Sequence, residues 1–263
     1  MTSRTGESVD VGVDTGGTFT DVVVIDDGRL RIHKRLSTPD DPSRAIGEGI
    51  DSVLAEAGDT ASYRLVHGTT VATNALLERE GADVAFVTTE GFEDLLFLRR
   101  QNRPELYNLH IELAEPLVRS EHCIGAAERV LFDGRVGREL SDMDIERVCR
   151  ELADCDVEAV AVCLLHSYAN AEHEEAIASA IDDAFGDLHL SVSSDIVPEF
   201  REFERASTTA VNAYVGPVMS TYLDRLEARV DAESVEVLLS RGGRSNLDYA
   251  SRYTAHSVLS GPA

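Results

Sequence analysis

Residues 9–28 read VDVGVDTGGTFTDVVVIDDG: two valine-rich runs separated by a pair of glycines, with threonines and aspartates on either side. A plain hairpin turn needs only two residues such as Asn-Gly or Asp-Gly, so the extra polar, flexible material between two β-forming runs limits what this segment can be. It is not a Walker P-loop, because GK[ST] is absent and the glycines lead into the β-branched run VVVI rather than into a helix. It is not a dinucleotide fingerprint either, because GxGxxG is absent. Two readings remain open. One is a glycine-rich β-hairpin with threonines at its tip. The other is a phosphate loop made by a hairpin. In that reading Gly16 and Gly17 let backbone N–H groups approach an anion. Thr18 and Thr20 add hydroxyl donors, Asp14 holds a hydrated Mg²⁺ that offsets phosphate charge, and Asp21 supports the metal or caps the turn.

The flanking sequence predicts the fold class. Residues 9–14, 18–26 and 29–36, punctuated by GG and DDG, predict a three-strand antiparallel meander. Asp41 as N-cap and Pro42 at the first helical position open a helix to about residue 57, with Ile46, Ile50, Val53 and Leu54 on one face. A strand (63–67), a helix (70–80), a strand (83–88) and a short helix (92–98) follow, and residues 99–140 read as a loop-rich insertion. Beyond it come a strand (158–165), a helix (171–185), a strand (188–194), a long helix from about Glu204 that Pro217 should kink or break, and a strand at 235–240. This order predicts an α/β protein with a mixed sheet covered by helices.

Composition narrows the partners. The net charge of −24 argues against nucleic acid and against an anionic membrane surface. The N-terminal MTSRTGESVDVGVD has no apolar signal core and no later run is long enough to span a bilayer, which predicts a cytoplasmic protein. Four cysteines in no metal-binding spacing read as reduced thiols. Lys34 is the sole lysine among 24 basic residues, and an acidic, lysine-poor surface suits a salt-rich cytoplasm, so the composition reads as a halophile's.

Several separate stretches carry a resemblance. DTGGTFTD looks like the first phosphate loop of the actin/Hsp70/sugar-kinase (ribonuclease H-like) ATPase fold. VHGTTVATNALLEREGADVAFVTTEGFEDLL (66–96), RRQNRPELYNL (99–109) and IVPEFREFERASTTAVNAYVGPVMSTYL (196–223) resemble the hydantoinase A/5-oxoprolinase family, which includes N-methylhydantoinase A subunits and acetone carboxylase relatives. The resemblance implies one half of an actin-like ATPase. Residues 9–200 would be the family's N-terminal domain and 201–263 the start of its ATPase domain. Chains of the family continue past SGPA (260–263) into a second half with another phosphate loop and the adenosine pocket, so the expectation is an N-terminal portion. SRGGRSN (240–246) departs from the QSxGG-like stretch usual there.

The implied activity is ATP-dependent opening of a cyclic amide such as 5-oxoproline or a hydantoin. Amide resonance makes the ring carbonyl a poor electrophile, and phosphorylating its oxygen creates a leaving group that water displaces. ATP and Mg²⁺ are the implied cofactors, and a B-type subunit and the missing second half the implied partners. His67, Thr69, Thr70 and Asn74 could face the cleft, since a helix N-terminus there favours anions. They could equally be helix-capping and loop residues. Arg103, with Arg99 and Arg100, could fork onto a substrate carboxylate or pair with surface acids. His166 reads as a loop histidine at a strand end. Two alternatives stay open: a non-catalytic module that keeps the fold without a complete ATP site, and a sugar- or acyl-kinase relative sharing only the phosphate loop.

Unscreened repulsion within so acidic a surface predicts a fall in stability when salt is withdrawn. The thermal midpoint should drop as KCl is lowered from roughly molar to tens of millimolar. A midpoint that does not move over that series overturns the habitat reading.

Overall fold

The computed structural model describes residues 8–26, 29–57, 62–102, 107 and 114–258. Its residues fall into two compact units, one comprising residues 1–80 and 218–263 and the other residues 81–217.

In the first unit the chain runs β1 (Val9–Thr15), β2 (Phe19–Asp26), β3 (Arg29–Leu36), α1 (Pro42–Ala57), β4 (Tyr63–Thr69) and α2 (Val71–Glu78). The second unit contributes β5 (Val84–Thr89), α3 (Leu95–Leu98), β6 (Cys123–Ala126), β7 (Arg129–Val130), β8 (Val136–Arg138), α4 (Asp142–Ala153), β9 (Ala159–Cys163), α5 (Glu172–Ala184), β10 (His189–Val192) and α6 (Ser193–Ile196). Helix α7 (Glu202–Arg229) runs through the unit boundary, and β11 (Ser234–Leu238), β12 (Arg244–Asn246) and α8 (Leu247–Arg252) return the chain to the first unit.

The predicted meander is present. β1 pairs antiparallel with β2 (Val11 opposite Val24, Asp14 opposite Asp21) and parallel with β4 (Val13 opposite His67), and the sheet runs β12-β11-β4-β1-β2-β3. Alternation sorts the side chains of β1: Val11, Val13 and Thr15 are buried, whereas Asp10 and Asp14 are exposed. Helix α1 covers β2 and β3 with Ala45, Ile46, Ile50 and Val53, each isoleucine worth about 2 kcal/mol on burial. Its start is pinned as predicted, Asp41 accepting from the Ser43 hydroxyl at 2.6 Å and from Arg229 at 2.8 Å. Gly49 allows the close approach, because a Cβ there would lie 2.7 Å from Val22 Cγ2.

The predicted mixed sheet is this six-stranded one, and the structure adds a second sheet. Residues 81–217 build a separate four-stranded parallel sheet, β10-β9-β5-β6. Every residue of β5 and β9 is buried, as parallel strands covered on both faces require. The stretch 99–140 is not all loop: β6, β7 and β8 lie within it. They are four, two and three residues long, too short to show a period-2 signal. Helix α4 adds an element not predicted above, although Ile145, Val148, Cys149 and Leu152 fall at helical spacing and Ser141 and Asp144 form a reciprocal capping box at its start. Pro217 does not break α7, which is one helix of 28 residues. The missing N–H costs one backbone bond, while buried Ala213, Tyr214, Val215, Met219 and Tyr222 hold the turns on either side.

The second unit is tied together by buried polar groups. Arg205, 1 % exposed, donates to Ser193 Oγ at 2.7 Å and to the Leu164 carbonyl at 2.8 Å, and lies 3.7 Å from Glu174. Glu174, wholly buried, accepts from Leu164 N at 2.7 Å, Ser193 Oγ at 2.6 Å and Ser194 N at 2.8 Å. Removing one member leaves a buried charge without compensation. Arg205→Ala should therefore cost about 3–5 kcal/mol, while Arg100→Ala, which breaks the exposed Arg100–Glu204 pair, should cost about 1 kcal/mol or less. Urea unfolding of both variants checks the contrast, and equal costs overturn it.

Candidate nucleotide-loop site

β1, β4 and β11 are parallel neighbours, so Thr15, Thr69 and Leu238 end at the same edge of the six-stranded sheet. Three connections leave that edge: the turn 16–18, Thr70 into α2, and the turn 239–243. The carboxyl edge of parallel strands is where α/β sheets place their ligands.

The first turn is built from its own backbone and from Ser37. Gly16 N donates to the Phe19 carbonyl at 3.0 Å, and Ser37 N donates to the Thr18 carbonyl at 2.9 Å. The Ser37 hydroxyl donates to the Gly16 carbonyl at 2.7 Å and meets Thr20 Oγ1 at 3.0 Å. The tip carbonyls are thus tied back, while Gly17 and Thr18 stay exposed. A Cβ placed on Gly17 would meet nothing within 4 Å, so what its absence leaves open is space outside the chain. Thr20 is fully buried and faces the core side, and Thr15 Oγ1 is a buried hydroxyl without a partner among the described residues.

Asp14 and Asp21 oppose each other across β1 and β2, an unfavourable like-charge pair. Lys34, opposite Asp21 on β3, grips that carboxylate at 2.9 and 3.0 Å. Asp14 receives no hydrogen bond among the described residues. Partial burial first, and the Asp21 charge second, raise its carboxyl above the ordinary range, with Lys34 acting the other way. On its other side stands Gly68, where a Cβ would lie 3.2 Å from Asp14 Oδ1, a tight contact that the carboxylate would relieve by shifting a few tenths of an ångström.

The remaining sequence candidates divide. Thr69 is buried and accepts from Val71 N at 3.2 Å. Thr70 occupies the N-cap position of α2, yet its hydroxyl goes to the Thr15 carbonyl at 3.1 Å and forms no side-chain cap. It ties the β1 and β4 loops together instead. Asn74 Nδ2 lies 3.5 Å from Thr70 Oγ1. His67 stands apart from the edge: it is wholly buried, with Nε2 hydrogen-bonded to the Tyr222 hydroxyl. Arg103 lies outside the described residues. Arg99 donates to the Ala114 carbonyl and Arg100 pairs with Glu204 at 2.5 Å, both within the second unit. His166, at φ +59° after β9, sits 3.4 Å from the Tyr168 hydroxyl.

Ser37, Lys34, Gly68 and Tyr222 shape this region and were not legible as such in the sequence, since each acts on a residue of another element, from Lys34 on Asp21, 13 positions away, to Tyr222 on His67, 155 away. The turn 239–243 was visible as SRGGRSN. Gly242 and Gly243 take φ of +84° and +83°, which explains the glycine pair. No helix among the described residues is long and apolar enough to cross a membrane, and no group of three His, Cys, Asp or Glu among them could hold a metal ion.

Two family models match the chain: the hydantoinase/oxoprolinase N-terminal region over residues 10–185 and hydantoinase/oxoprolinase over residues 205–263. The chain belongs to the hydantoinase/oxoprolinase family. It is 30 % identical to caprolactamase subunit alpha of Pseudomonas jessenii over 96 % of this chain and 38 % of that protein. It is 34 % identical to 5-oxoprolinase 1 of Arabidopsis thaliana over 95 % of this chain and 22 % of that protein. The crystal structure of the ATP-dependent caprolactamase from Pseudomonas jessenii superimposes with a TM-score of 0.87, covering 96 % of this chain and 38 % of that one. Nucleotide-free acetone carboxylase, 24 % identical, has the same fold at a TM-score of 0.85, covering 97 % and 39 %. The fold is thus an actin-like ATPase type, and the chain spans about two fifths or less of the length of these relatives.

Burial lowers the His67 pKa from 6.5 to about 4. The unfolded chain therefore takes up this proton first as pH falls, and the stability contributed by neutral His67 is complete above about 6.5 and lost on the way down to about 4. His67→Gln should flatten the decline in stability between those pH values, read from chemical unfolding at each pH. An unchanged slope overturns the assignment.

Proposed function

We propose that this chain supplies the first phosphate loop of an ATP-dependent cyclic-amide hydrolase, as the N-terminal portion of an A-type subunit. The observation that carries the reading is the hairpin tip at the carboxyl edge of β1. There Gly17 faces open space, Thr18 is exposed, and Asp14 has no hydrogen-bond partner among the described residues. Gly16 and Gly17 would bring backbone N–H groups to phosphate oxygens, Thr18 would donate its hydroxyl, and Asp14 would hold water on a Mg²⁺, with Asp21 behind it. Thr20 and Thr70 act on the loop rather than on a ligand, fixing its base through Ser37 and through the Thr15 carbonyl. Bound Mg·ATP would supply the phosphoryl group that turns an amide oxygen into a leaving group. Residues 9–200 then serve as the family's N-terminal domain, and residues from 201 begin its ATPase domain.

Relatives named as subunits, caprolactamase subunit alpha and acetophenone carboxylase gamma subunit, support a partner of the B type. The cyclic amide itself, whether 5-oxoproline, a hydantoin or another lactam, is the substrate class this reading assigns, in a cytoplasmic enzyme. The alternative is a module that keeps the fold without binding ATP.

Calorimetry with Mg·ATP separates the two. One loop acting against a surface of net charge −24 should bind weakly, in the millimolar range or about 4 kcal/mol. Together with the polypeptide that follows this region in its longer relatives, binding should tighten and phosphate release should depend on added lactam. Asp14→Ala and Thr18→Ala should then abolish both. Unchanged binding in those variants overturns the assignment of the loop, and failure to bind in any form leaves the non-catalytic module as the answer.

A further inference from the structure

The carboxyl edge of the six-stranded sheet carries a second glycine turn, between β11 and β12, to which the phosphate-loop reading gives no role. Register sets Asp14, Gly68 and Leu238 in one row, since Val13 and Val237 both pair with His67. A Cβ on Gly68 would lie 3.2 Å from Asp14 Oδ1 and 3.5 Å from Leu238 Cδ1, so the bases of the two turns meet across that glycine. With β4 between them, β1 and β11 are two strand spacings apart, about 10 Å.

The turn is braced so that its tip projects. Leu239 N donates to the Gly243 carbonyl at 3.1 Å, Gly242 N to the Leu239 carbonyl at 3.0 Å, and Ser240 N to the His256 carbonyl at 2.8 Å. A Cβ on Gly242 or Gly243 would meet nothing within 4 Å, so both face open space. Residues 241–243 are exposed, and the N–H groups of Arg241 and Gly243 have no acceptor among the described residues. Backbone N–H groups left free in a turn make anion-binding concavities.

Charge points the same way. Asp14 and Asp21 put two carboxylates at the first turn against the one ammonium of Lys34, which Asp21 holds. Arg244 is engaged by Glu236 at 3.1 Å. Arg241, at the tip, makes no ion pair among the described residues. Asp and Glu number 48 against 24 Lys and Arg, so an arginine left unpaired is a positive charge that the acidic surface has not taken up.

We infer that the β11–β12 turn is a second anion contact for the nucleotide of the phosphate-loop reading, on which it rests. Arg241 forks onto phosphate oxygens, and the N–H groups of Arg241 and Gly243 approach them from the side opposite Gly17. The planar guanidinium matches phosphate bidentately. It brings from this chain a positive charge that the Gly16–Thr18 turn, flanked by Asp14 and Asp21, lacks. Donors on two turns about 10 Å apart suit a chain of phosphates better than one carboxylate, which a single fork would satisfy.

The test is calorimetry with Mg·ATP on this chain joined to the polypeptide that follows this region in its longer relatives. Arg241→Ala should weaken binding at least about tenfold, the effect of losing hydrogen bonds between charged groups. Arg241→Lys should recover part of the loss, because lysine keeps the charge without the fork. Arg150→Ala, which removes an exposed arginine from α4 in the other unit, should leave binding as it was. Circular dichroism confirms that the variants fold. Undiminished affinity in Arg241→Ala, with Thr18→Ala abolishing binding, overturns this contact and leaves the phosphate loop standing. An equal loss in Arg150→Ala overturns it as well, since the effect then belongs to the field of the whole surface. Failure of every form to bind removes the phosphate-loop reading and this contact with it.

Discussion

Strand β1 is hydrogen-bonded on both sides, antiparallel to β2 and parallel to β4, and the first unit is organised around that register. It sends Val11, Val13 and Thr15 toward the core and Asp10 and Asp14 away from it. A slip of one residue would drive Asp14 into the core and expose the valines, so burial on one face enforces the pairing. The parallel half of the register is what brings the ends of β1, β4 and β11 to a common edge. The antiparallel half sets Asp21 beside Asp14 and Lys34 beside Asp21.

The second unit solves the same problem of positioning strand ends by other means. Its sheet is all parallel, and each strand ends inside a polar network. Glu174 and Arg205 gather the ends of β9 and β10 with α5, α6 and α7. Glu128, just beyond β6, bonds Thr89 at the end of β5 and meets His173 of α5 at 2.7 Å. Such groups are expensive to bury and costly to leave unpaired, which makes each network all-or-none.

The two faces of the meander also carry different consequences for charge. On the covered side hydroxyls fix the turn. On the open side two carboxylates share one ammonium, and only Asp21 receives it. An anion approaching that turn meets Asp14, which no cation hydrogen-bonds among the described residues, so on the proposed reading a cation must accompany it, which is the part Mg²⁺ would play.

Much of this was legible in the chain itself. Valine alternation, glycine pairs and the Asp41–Pro42 start are local signals, so the meander and α1 follow from residues close to one another in sequence. The family motifs follow likewise, and with them the fold. The missed strands β6, β7 and β8 are too short to carry a period; β6 is fixed by pairing with β5, and β7 and β8 by pairing with each other. The separation into two sheets is likewise non-local, since nothing within a strand names its neighbour.

The site divides along the same line. Backbone chemistry at Gly16 and Gly17 and the outward parity of Asp14 are properties of nearby residues, readable before any folding. Which partner each side chain meets was a matter for the tertiary structure. HGTTVATN gives no sign that His67 would turn inward to Tyr222, 155 residues away, or that Thr70 would brace β1. Nor does it show that Gly68 stands beside Asp14. Parity and turn geometry are set by bonds to adjacent residues, whereas burial and hydrogen-bond pairing are set by whatever chain the sheet brings alongside.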